Sequence, residues 1–232
     1  MTVMPMLPQH AGVLEELQRI VFPALSVAER LRAEHYLAHL QVFPEGQFVL
    51  TNEAPATSFP PPAGGAGQAL PFNTDMTEQA QPPVIGMTTT HRMNFDLSSY
   101  QHSFLETSGN GWMSHHQPEG EWLYGLDMGI HPEFRGRGGA RLLYRARQQL
   151  VRRLGLRGQL TVGMMNGYGA VRGQISGAEY YREWLEGRRE DPTLTRQRKI
   201  GFEPLGLIHD YLHDPACGNY GVLLRLDAGR EV

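Results

Sequence analysis

Apolar residues recur every three or four positions in several segments, and this spacing predicts amphipathic helices. The first is predicted at residues 13–21, and Pro23 ends it. A second is predicted from Ser26 to about Val42, because Ser26 and Glu29 have the spacing of a capping box. Further predicted helices span residues 140–154, 176–187 and 194–200.

Shorter apolar runs lie between the helices and predict β-strands. They span residues 47–52, 84–92, 122–130, 160–164, 205–212 and 220–226. The stretch 94–121 is polar and rich in glycine, so we expect it to be irregular. Helices alternating with strands and a final strand pair predict an α/β fold with a mixed sheet.

One internal segment, residues 53–83, differs in composition from the rest. It contains Pro60, Pro61 and Pro62 together with a Gly64–Gly65 pair, and it has few large apolar residues. Such a segment cannot bury enough surface to offset the entropy lost on ordering. We therefore predict a single domain over residues 1–232 with a mobile insertion at 53–83.

Charge and composition restrict the class of partner. The net charge of −3 argues against general nucleic-acid binding, which relies on neutralising phosphates. No stretch reaches the roughly 18 apolar residues of a membrane span, and no signal peptide is recognisable at residues 1–11. The single cysteine, Cys217, excludes a disulfide within the chain. A cytoplasmic protein that binds neither membrane nor nucleic acid is expected.

The most informative stretch is the glycine-rich loop between the predicted strand at 122–130 and the following helix. Three of its residues are glycines within four positions, and two are arginines; it reads Arg135-Gly136-Arg137-Gly138-Gly139-Ala140. Glycines allow successive backbone N–H groups to point inward, and a helix N-terminus adds about half a positive charge. The loop lacks the Gly-Lys-Ser/Thr of a phosphate-binding P-loop and the third glycine of a dinucleotide fingerprint. It predicts a cradle for an anion such as a pyrophosphate, with a solvated turn as the alternative.

This loop resembles the Arg/Gln-x-x-Gly-x-Gly/Ala motif of the GCN5-related N-acetyltransferases (GNATs). Ile130-x-Pro132 before it and Ile200-Gly201-Phe202 after the last helix are also similar to that family. The resemblance implies the GNAT fold, a mixed and mostly antiparallel sheet flanked by helices, and acetyl-coenzyme A (acetyl-CoA) as co-substrate. It further implies that the pantetheine arm pairs with a strand edge and the pyrophosphate binds the loop. The implied residues are Met128, Gly129, Ile130, Arg135, Gly136, Arg137, Gly138, Gly139 and Ala140.

A weaker resemblance concerns the C-terminal third. The motifs Glu179-Tyr180, Asp191-Pro192-Thr193-Leu194 and Gly201-Phe202 are similar to acetyltransferase domains fused to nitrilase-like carbon–nitrogen hydrolases.

The catalytic groups that the family uses are not at their usual positions here. An amine must lose a proton before it attacks a thioester, and the family commonly uses a strand carboxylate as base and a helix tyrosine as acid. These positions hold Tyr124 and Gln197 in this chain, and Tyr124 is kept as a catalytic candidate because it occupies the position of the family's base. We expect Asp127 to act as the base, with a buried, backbone-bonded aspartate as the alternative. The candidates for the acid are Tyr168, Tyr180 and Tyr181, of which Tyr181 is the expected one. Packing of the aromatic ring is the alternative for each of them.

Two other groups of residues have simpler interpretations. His209, His213 and Cys217 suggest zinc, but histidines four apart on a strand stand roughly 13 Å apart, so no metal site is predicted. A run of arginines on the predicted helix 140–154 is interpreted as a solvated face rather than a nucleic-acid surface. The run comprises Arg141, Arg145, Arg147, Arg152, Arg153 and Arg157.

The sequence thus predicts an acetyl-CoA-dependent N-acetyltransferase acting on the amine of a small molecule or amino-acid-like acceptor. A non-catalytic sensor that binds acyl-CoA and a protein N-acetyltransferase are the alternatives. Because the final strand of relatives often takes part in dimerisation, a homodimer is also predicted.

Overall fold

The structure is a computed structural model, and it describes residues 1–52 and 82–232. Of the predicted insertion at 53–83, residues 53–81 lie outside the described residues. Within them, no helix combines the length and the apolar character that crossing a membrane requires.

Seven strands and six helices make up the described chain. The strands are β1 (Thr2–Pro5), β2 (Phe48–Thr51), β3 (Val84–Met93), β4 (Trp122–Ile130), β5 (Gly158–Met164), β6 (Glu203–Ile208) and β7 (Gly221–Asp227). The α-helices are α1 (Ala11–Val21), α2 (Ala33–Val42), α3 (Phe104–Ser108), α4 (Gly139–Arg153), α5 (Gly177–Leu185) and α6 (Leu194–Ile200). The predictions for β4 and α6 coincide with the observed bounds.

All seven strands form one sheet in the order β1-β2-β3-β4-β5-β7-β6. Every neighbouring pair is antiparallel except β4 and β5, which run parallel. The predicted α/β class with a mixed, mostly antiparallel sheet is confirmed. The parallel pair at the centre is the feature that positions the site.

Helices cover both faces of this sheet. A Cβ at Gly129 would lie 3.1 Å from Val21 of α1, whereas the next residue, Ile130, packs in an apolar cluster with Leu143 of α4. Consecutive strand residues point to opposite faces, so α1 and α4 lie on opposite sides of the sheet. Helix α6 lies on the α4 side, because the Gln197 amide donates a hydrogen bond to the Tyr144 hydroxyl at 2.8 Å.

The predicted capping box at Ser26 is wrong, and α2 begins at Ala33 instead. The Ser26 N–H donates to the backbone carbonyl of His213 at 3.0 Å. Glu29 accepts a hydrogen bond from the His213 backbone N–H at 2.8 Å. Both groups that would have capped a helix therefore bind a distant segment of the chain, and residues 26–32 form a connection tethered there.

Two elements of the structure were not predicted. β1 pairs with β2 at the sheet edge. The segment expected to be irregular contains α3, where Ser103 accepts from the Glu106 N–H at 3.2 Å and the Glu106 carboxylate accepts from the Ser103 N–H at 2.7 Å. This reciprocal cap stabilises a helix too short to show apolar periodicity.

Gly158 is expected to be intolerant of a side chain, because β5 and β7 approach each other closely there. A Cβ at Gly158 would lie 2.4 Å from the backbone carbonyl oxygen of Leu226. We expect Gly158→Ala to lower the free energy of unfolding by about 1–3 kcal/mol, measured by urea denaturation. Gly229→Ala is the control, since a Cβ there meets no atom within 4 Å. Equal stability of the two variants would contradict the expectation.

Candidate functional site

The parallel strands at the centre of the sheet separate towards their C-terminal ends. β4 and β5 are paired from Trp122 opposite Gly158 to Gly125 opposite Thr161, and the pairing stops there. Beyond it, residues 126–130 of β4 and 162–164 of β5 continue with facing edges that are not paired to each other. A cavity of about 710 Å³ occupies the gap. Unpaired strand edges facing a cavity can bind an extended ligand that carries amide groups.

The cavity is lined from both sides of the sheet. On the α4 side, α4, α6 and the glycine-rich loop contribute Phe134, Arg135, Arg141, Tyr144, Arg196, Gln197 and Lys199. On the α1 side, α1, the α1–α2 connection and the segment before β7 contribute Gln18, Phe22, Leu25, Glu29, Tyr211, Leu212 and Asp214.

The glycine-rich loop has the conformation of an anion cradle. Gly136 and Gly138 adopt left-handed backbone geometry, with φ of +77° and +85°. Among the described residues, no acceptor pairs with the backbone N–H groups of residues 136–141. Five of these six residues line the cavity, the exception being Arg137. A row of free amides at a helix N-terminus is the arrangement that binds phosphate groups.

Most residues that the resemblance implied for cofactor binding line this cavity. Those that do are Met128, Ile130, Arg135, Gly136, Gly138, Gly139 and Ala140. Gly129 faces away, towards Met87 and Val21. The Arg137 guanidinium stacks over the Phe134 ring at 5.3 Å.

Charges of opposite sign occupy the two sides of the cavity. Four exposed cations, Arg135, Arg141, Arg196 and Lys199, line the α4 side. Three carboxylates line the α1 side or the strand edge beside it: Glu29, Asp127 and Asp214. Among the described lining residues of the α1 side, none is lysine or arginine. The cavity therefore favours an anionic ligand on one side and a cationic one on the other.

Asp127 is half-buried in the cavity wall at the end of a hydrogen-bonded chain. Its Oδ2 accepts hydrogen bonds from the Gln18 amide at 2.5 Å and from the Tyr36 hydroxyl at 3.3 Å. The same Gln18 amide donates to the Tyr36 hydroxyl at 2.8 Å. Burial raises the pKa of Asp127 to about 7, although these hydrogen bonds and one from the Met128 N–H oppose the rise. A carboxyl group with this pKa can both accept and release a proton near neutral pH.

An irregularity in β4 decides which way Asp127 points. Thr90 pairs with Gly125 and Thr89 with Asp127, so Leu126 is an extra residue, as in a β-bulge. A Cβ at Gly125 would point at Arg147 on α4, whereas Asp127 bonds to Gln18 on α1. Residues two apart in a regular strand share a face, so the bulge is what turns Asp127 to the α1 side.

The two tyrosines predicted as catalytic lie outside the cavity lining. Tyr124 is fully buried, and its hydroxyl lies 2.6 Å from His102 Nε2. Burial raises its pKa well above the usual value. Tyr181 on α5 is half-buried and stacks on Trp184 with ring centroids 6.0 Å apart. The described structure brings neither one to Asp127 or to the free amides.

Sequence analysis missed three residues at or beside the cavity. Tyr144 and Glu29 line it, although the sequence assigned no role to Tyr144 and only a helix-capping role to Glu29. Arg147 is fully buried behind it, so the interpretation of the α4 arginines as a solvated face is wrong at this position. Its spacing of three from Tyr144 and four from Leu143, both buried, was a usable signal.

His213, one of the residues that suggested a zinc site, has another partner. His213 Nδ1 lies 3.0 Å from the Glu29 carboxylate. Over residues 1–52 and 82–232, no three His, Cys, Asp or Glu side chains are grouped so that they could hold a metal ion.

A scan against protein-family models finds no match to this chain. Two curated proteins of Bacillus subtilis (strain 168) are similar to it. The uncharacterized N-acetyltransferase YkwB is 28% identical over 213 residues, which cover 91% of this chain and 81% of YkwB. The probable hydrolase YhcX is 27% identical over 210 residues, which cover 90% of this chain but only 35% of YhcX. The chain therefore spans about a third of that relative, as the resemblance to domains fused to hydrolases predicted.

Several solved structures share this fold. The loading GNATL domain of CurA from Lyngbya majuscula has a TM-score of 0.70 at 19% identity, over 98% of this chain and 97% of its own. A GNAT superfamily phosphinothricin acetyltransferase from Sinorhizobium meliloti, solved with AcCoA, has a TM-score of 0.53 at 14% identity, over 100% of this chain and 92% of its own. The chain has the GNAT fold. The predicted resemblance and the predicted fold are both confirmed.

GphF, described as a GNAT-like decarboxylase, is similar to the same degree as the CurA domain. Its complex with isobutyryl-CoA has a TM-score of 0.70 at 18% identity, over 98% of this chain and 100% of its own. These identities support the GNAT fold and leave the chemistry to be argued from the chain's own residues.

Proposed function

We propose that this chain is an acetyltransferase that moves the acetyl group of acetyl-CoA to an amine. The single observation that carries the proposal is the row of free backbone amides at residues 136–141, which opens into the gap between β4 and β5. A pyrophosphate fits those amides in charge, and the unpaired edges of β4 and β5 suit a pantetheine arm. The names of YkwB and the phosphinothricin acetyltransferase support the same activity.

The charge distribution in the cavity supports binding of acetyl-CoA on the α4 side and of the acceptor on the α1 side. Arg141, Arg196 and Lys199 lie on the side where the loop would hold the phosphates of acetyl-CoA. An acceptor would then enter from the α1 side, where Glu29 and Asp214 lie among apolar groups such as Phe22 and Leu25. A protonated amine with an apolar body matches this side.

We assign the role of general base to Asp127. The carboxylate lies beside the gap, and a pKa of about 7 lets it take a proton from an amine at neutral pH. Gln18 and Tyr36 fix the orientation of the carboxylate through Oδ2. Proximity of the two substrates in the gap would supply a further part of the rate.

The test combines binding and turnover. We expect acetyl-CoA to bind in isothermal titration calorimetry, and free thiol to be released when a panel of small amines is added. Tight binding without thiol release from any amine would support the sensor instead, and release only with peptide amines would support a protein acetyltransferase. Absence of acetyl-CoA binding would overturn the proposal. The small-molecule acceptor, the cytoplasmic location and the homodimer stay predictions.

A decarboxylase is the second candidate, favoured by one observation. GphF, described as a GNAT-like decarboxylase, superposes with a TM-score of 0.70, whereas the acetyltransferase from Sinorhizobium meliloti reaches 0.53. Incubation with malonyl-CoA separates the candidates, because decarboxylation converts malonyl-CoA and a proton to acetyl-CoA and carbon dioxide without any amine. Formation of acetyl-CoA by the wild-type chain in that assay would favour the second candidate.

A further inference from the structure

Tyr144 brings a phenol hydroxyl to the α4 side of the cavity. Its side chain lines the gap together with Thr161 of β5 and Gln197 of α6. The hydroxyl oxygen accepts a hydrogen bond from the Gln197 Nε2 at 2.8 Å. Among the described residues, no acceptor takes the proton of this hydroxyl, so it is free to be donated to a ligand.

Gln197, the hydrogen-bond partner of Tyr144, occupies a notable position in the sequence. Gln197 stands four residues before the Gly201-Phe202 turn, where the resemblance implies a tyrosine. The Tyr144 hydroxyl lies beside Gln197 although it comes from a different helix, and the Gln197 amide holds it there. Gly163 makes room for this arrangement, since a Cβ at that residue would lie 2.2 Å from Gln197 Oε1.

A buried cation lies behind Tyr144. The Arg147 guanidinium carbon is 5.2 Å from the centroid of the Tyr144 ring, and its side chain is inaccessible to solvent. Its Nη2 donates to the Leu160 carbonyl at 3.3 Å, and Nε and Nη1 have no hydrogen-bond partner in the described part of the chain. A buried charge without an ion-pair partner lowers the stability of the fold. The presence of the Arg147 guanidinium beside Tyr144 therefore points to an anion that forms nearby.

We propose that Tyr144 is the catalytic proton donor to the coenzyme A thiolate that leaves during acetyl transfer. Arg147 and Gln197 are positioning residues that act through Tyr144. The inference rests on the proposed function and adds the identity of its acid.

The step balances with the groups already described. The amine nitrogen forms a bond to the thioester carbonyl carbon, and the carbon–sulfur bond breaks with its electron pair on sulfur. Before the attack, the protonated amine releases one proton to solvent through Asp127. After the attack, Asp127 takes a second proton from the nitrogen, and the Tyr144 O–H gives one proton to sulfur. The products are the amide and the free thiol, and solvent later moves a proton from Asp127 to the tyrosinate.

The other cavity tyrosine is less suited to this role. Tyr211 lies on the α1 side, and a hydrogen bond from Tyr124 engages its hydroxyl. Tyr144 and Asp127 lie on opposite sides of the gap, so one group can serve the leaving sulfur while the other serves the attacking amine.

Tyr144→Phe tests the proposal in turnover. With acetyl-CoA and the amine that the wild type uses best, we expect kcat to fall about 10²-fold and the KM for acetyl-CoA to stay close to wild type. Tyr220→Phe is the control, because it removes the hydroxyl of a half-buried tyrosine outside the cavity lining. An unchanged kcat in Tyr144→Phe would overturn the proposal.

A second measurement needs no turnover. The measurement is the ratio of the Kd for desulfo-coenzyme A to the Kd for coenzyme A. If the Tyr144 hydroxyl contacts sulfur, this ratio should be about three- to tenfold larger in the wild type than in Tyr144→Phe. Equal ratios in the two proteins would overturn the proposal even where acetyl transfer is established. Failure of the wild type to bind either compound would instead remove the proposed function.

Arg147 variants test the positioning role. We expect Arg147→Met to lower kcat, Arg147→Lys to restore part of it, and the double variant with Tyr144→Phe to lose no more than Tyr144→Phe alone. Circular dichroism checks that each variant is folded. Fully additive losses would show that Arg147 does not act through Tyr144.

Discussion

Replacing Gly138 with aspartate is expected to abolish binding of acetyl-CoA while leaving the chain folded. Gly138 is the N-cap of α4, with φ +85° and ψ 0°, and a Cβ there would meet no atom within 4 Å. A carboxylate at an N-cap accepts hydrogen bonds from the first free amides of the helix, the groups proposed to hold the pyrophosphate. It also places a negative charge where the ligand is negative. We expect the affinity to fall about 10²- to 10³-fold, measured by calorimetry.

Gly138→Asn separates charge from shape. Asparagine tolerates left-handed backbone geometry and has nearly the size of aspartate, but it carries no charge. We expect it to keep more of the affinity than Gly138→Asp does. Gly229→Asp, which adds the same charge at an open turn after β7, should bind like wild type. Wild-type affinity in Gly138→Asp would show that the loop does not bind acetyl-CoA, and the proposed cofactor site would be wrong.

Asp127→Asn is expected to lower kcat about 10²- to 10⁴-fold with little change in the KM for acetyl-CoA. The amide keeps the size of the carboxyl group but cannot take a proton from the amine. Glu121→Gln is the matched control, because Glu121 is exposed and its partner is Arg157 at the protein surface. A comparable loss in the control, or full activity in Asp127→Asn, would contradict the role of base.

The pH dependence gives an independent check of the same group. A base acts when deprotonated, so kcat/KM should rise with pH through about 7, the raised pKa of Asp127. Asp127→Asn should lose this rise.

The free energy of unfolding should change with pH in the opposite direction to kcat/KM. The folded chain holds the Asp127 proton up to a higher pH than the unfolded chain does. This contribution to the free energy of unfolding therefore declines from about pH 4 to about pH 7. Asp127→Asn should be at least as stable as wild type at pH 8, which separates lost activity from lost folding.

The features that sequence analysis located correctly are those that depend on neighbouring residues. The apolar run of β4, the glycines of residues 136–139 and the stripe of α4 follow one another without interruption, and local spacing suffices to predict strand, loop and helix. The same is true of the Ser176 cap of α5, where the Ser176 hydroxyl accepts from the Glu179 N–H at 3.1 Å. The Ser26–Glu29 pair shows where prediction from local spacing fails. Its spacing equals that of Ser176 and Glu179, but both residues bind His213, nearly 190 positions away in sequence.

By itself, the sequence determined the fold and the anion-binding loop, because a strand, a glycine turn and a helix N-terminus make free amides wherever they occur together. Only the tertiary structure decided the chemistry around the gap. The extra residue Leu126 exists only in the register of β4 against β3, and it turns Asp127 towards Gln18. The burial of Arg147 and the contact of Tyr144 with Gln197 arise where two helices meet on one face of the sheet. Such contacts join residues far apart in the chain, and no local pattern of side chains encodes the distance between them.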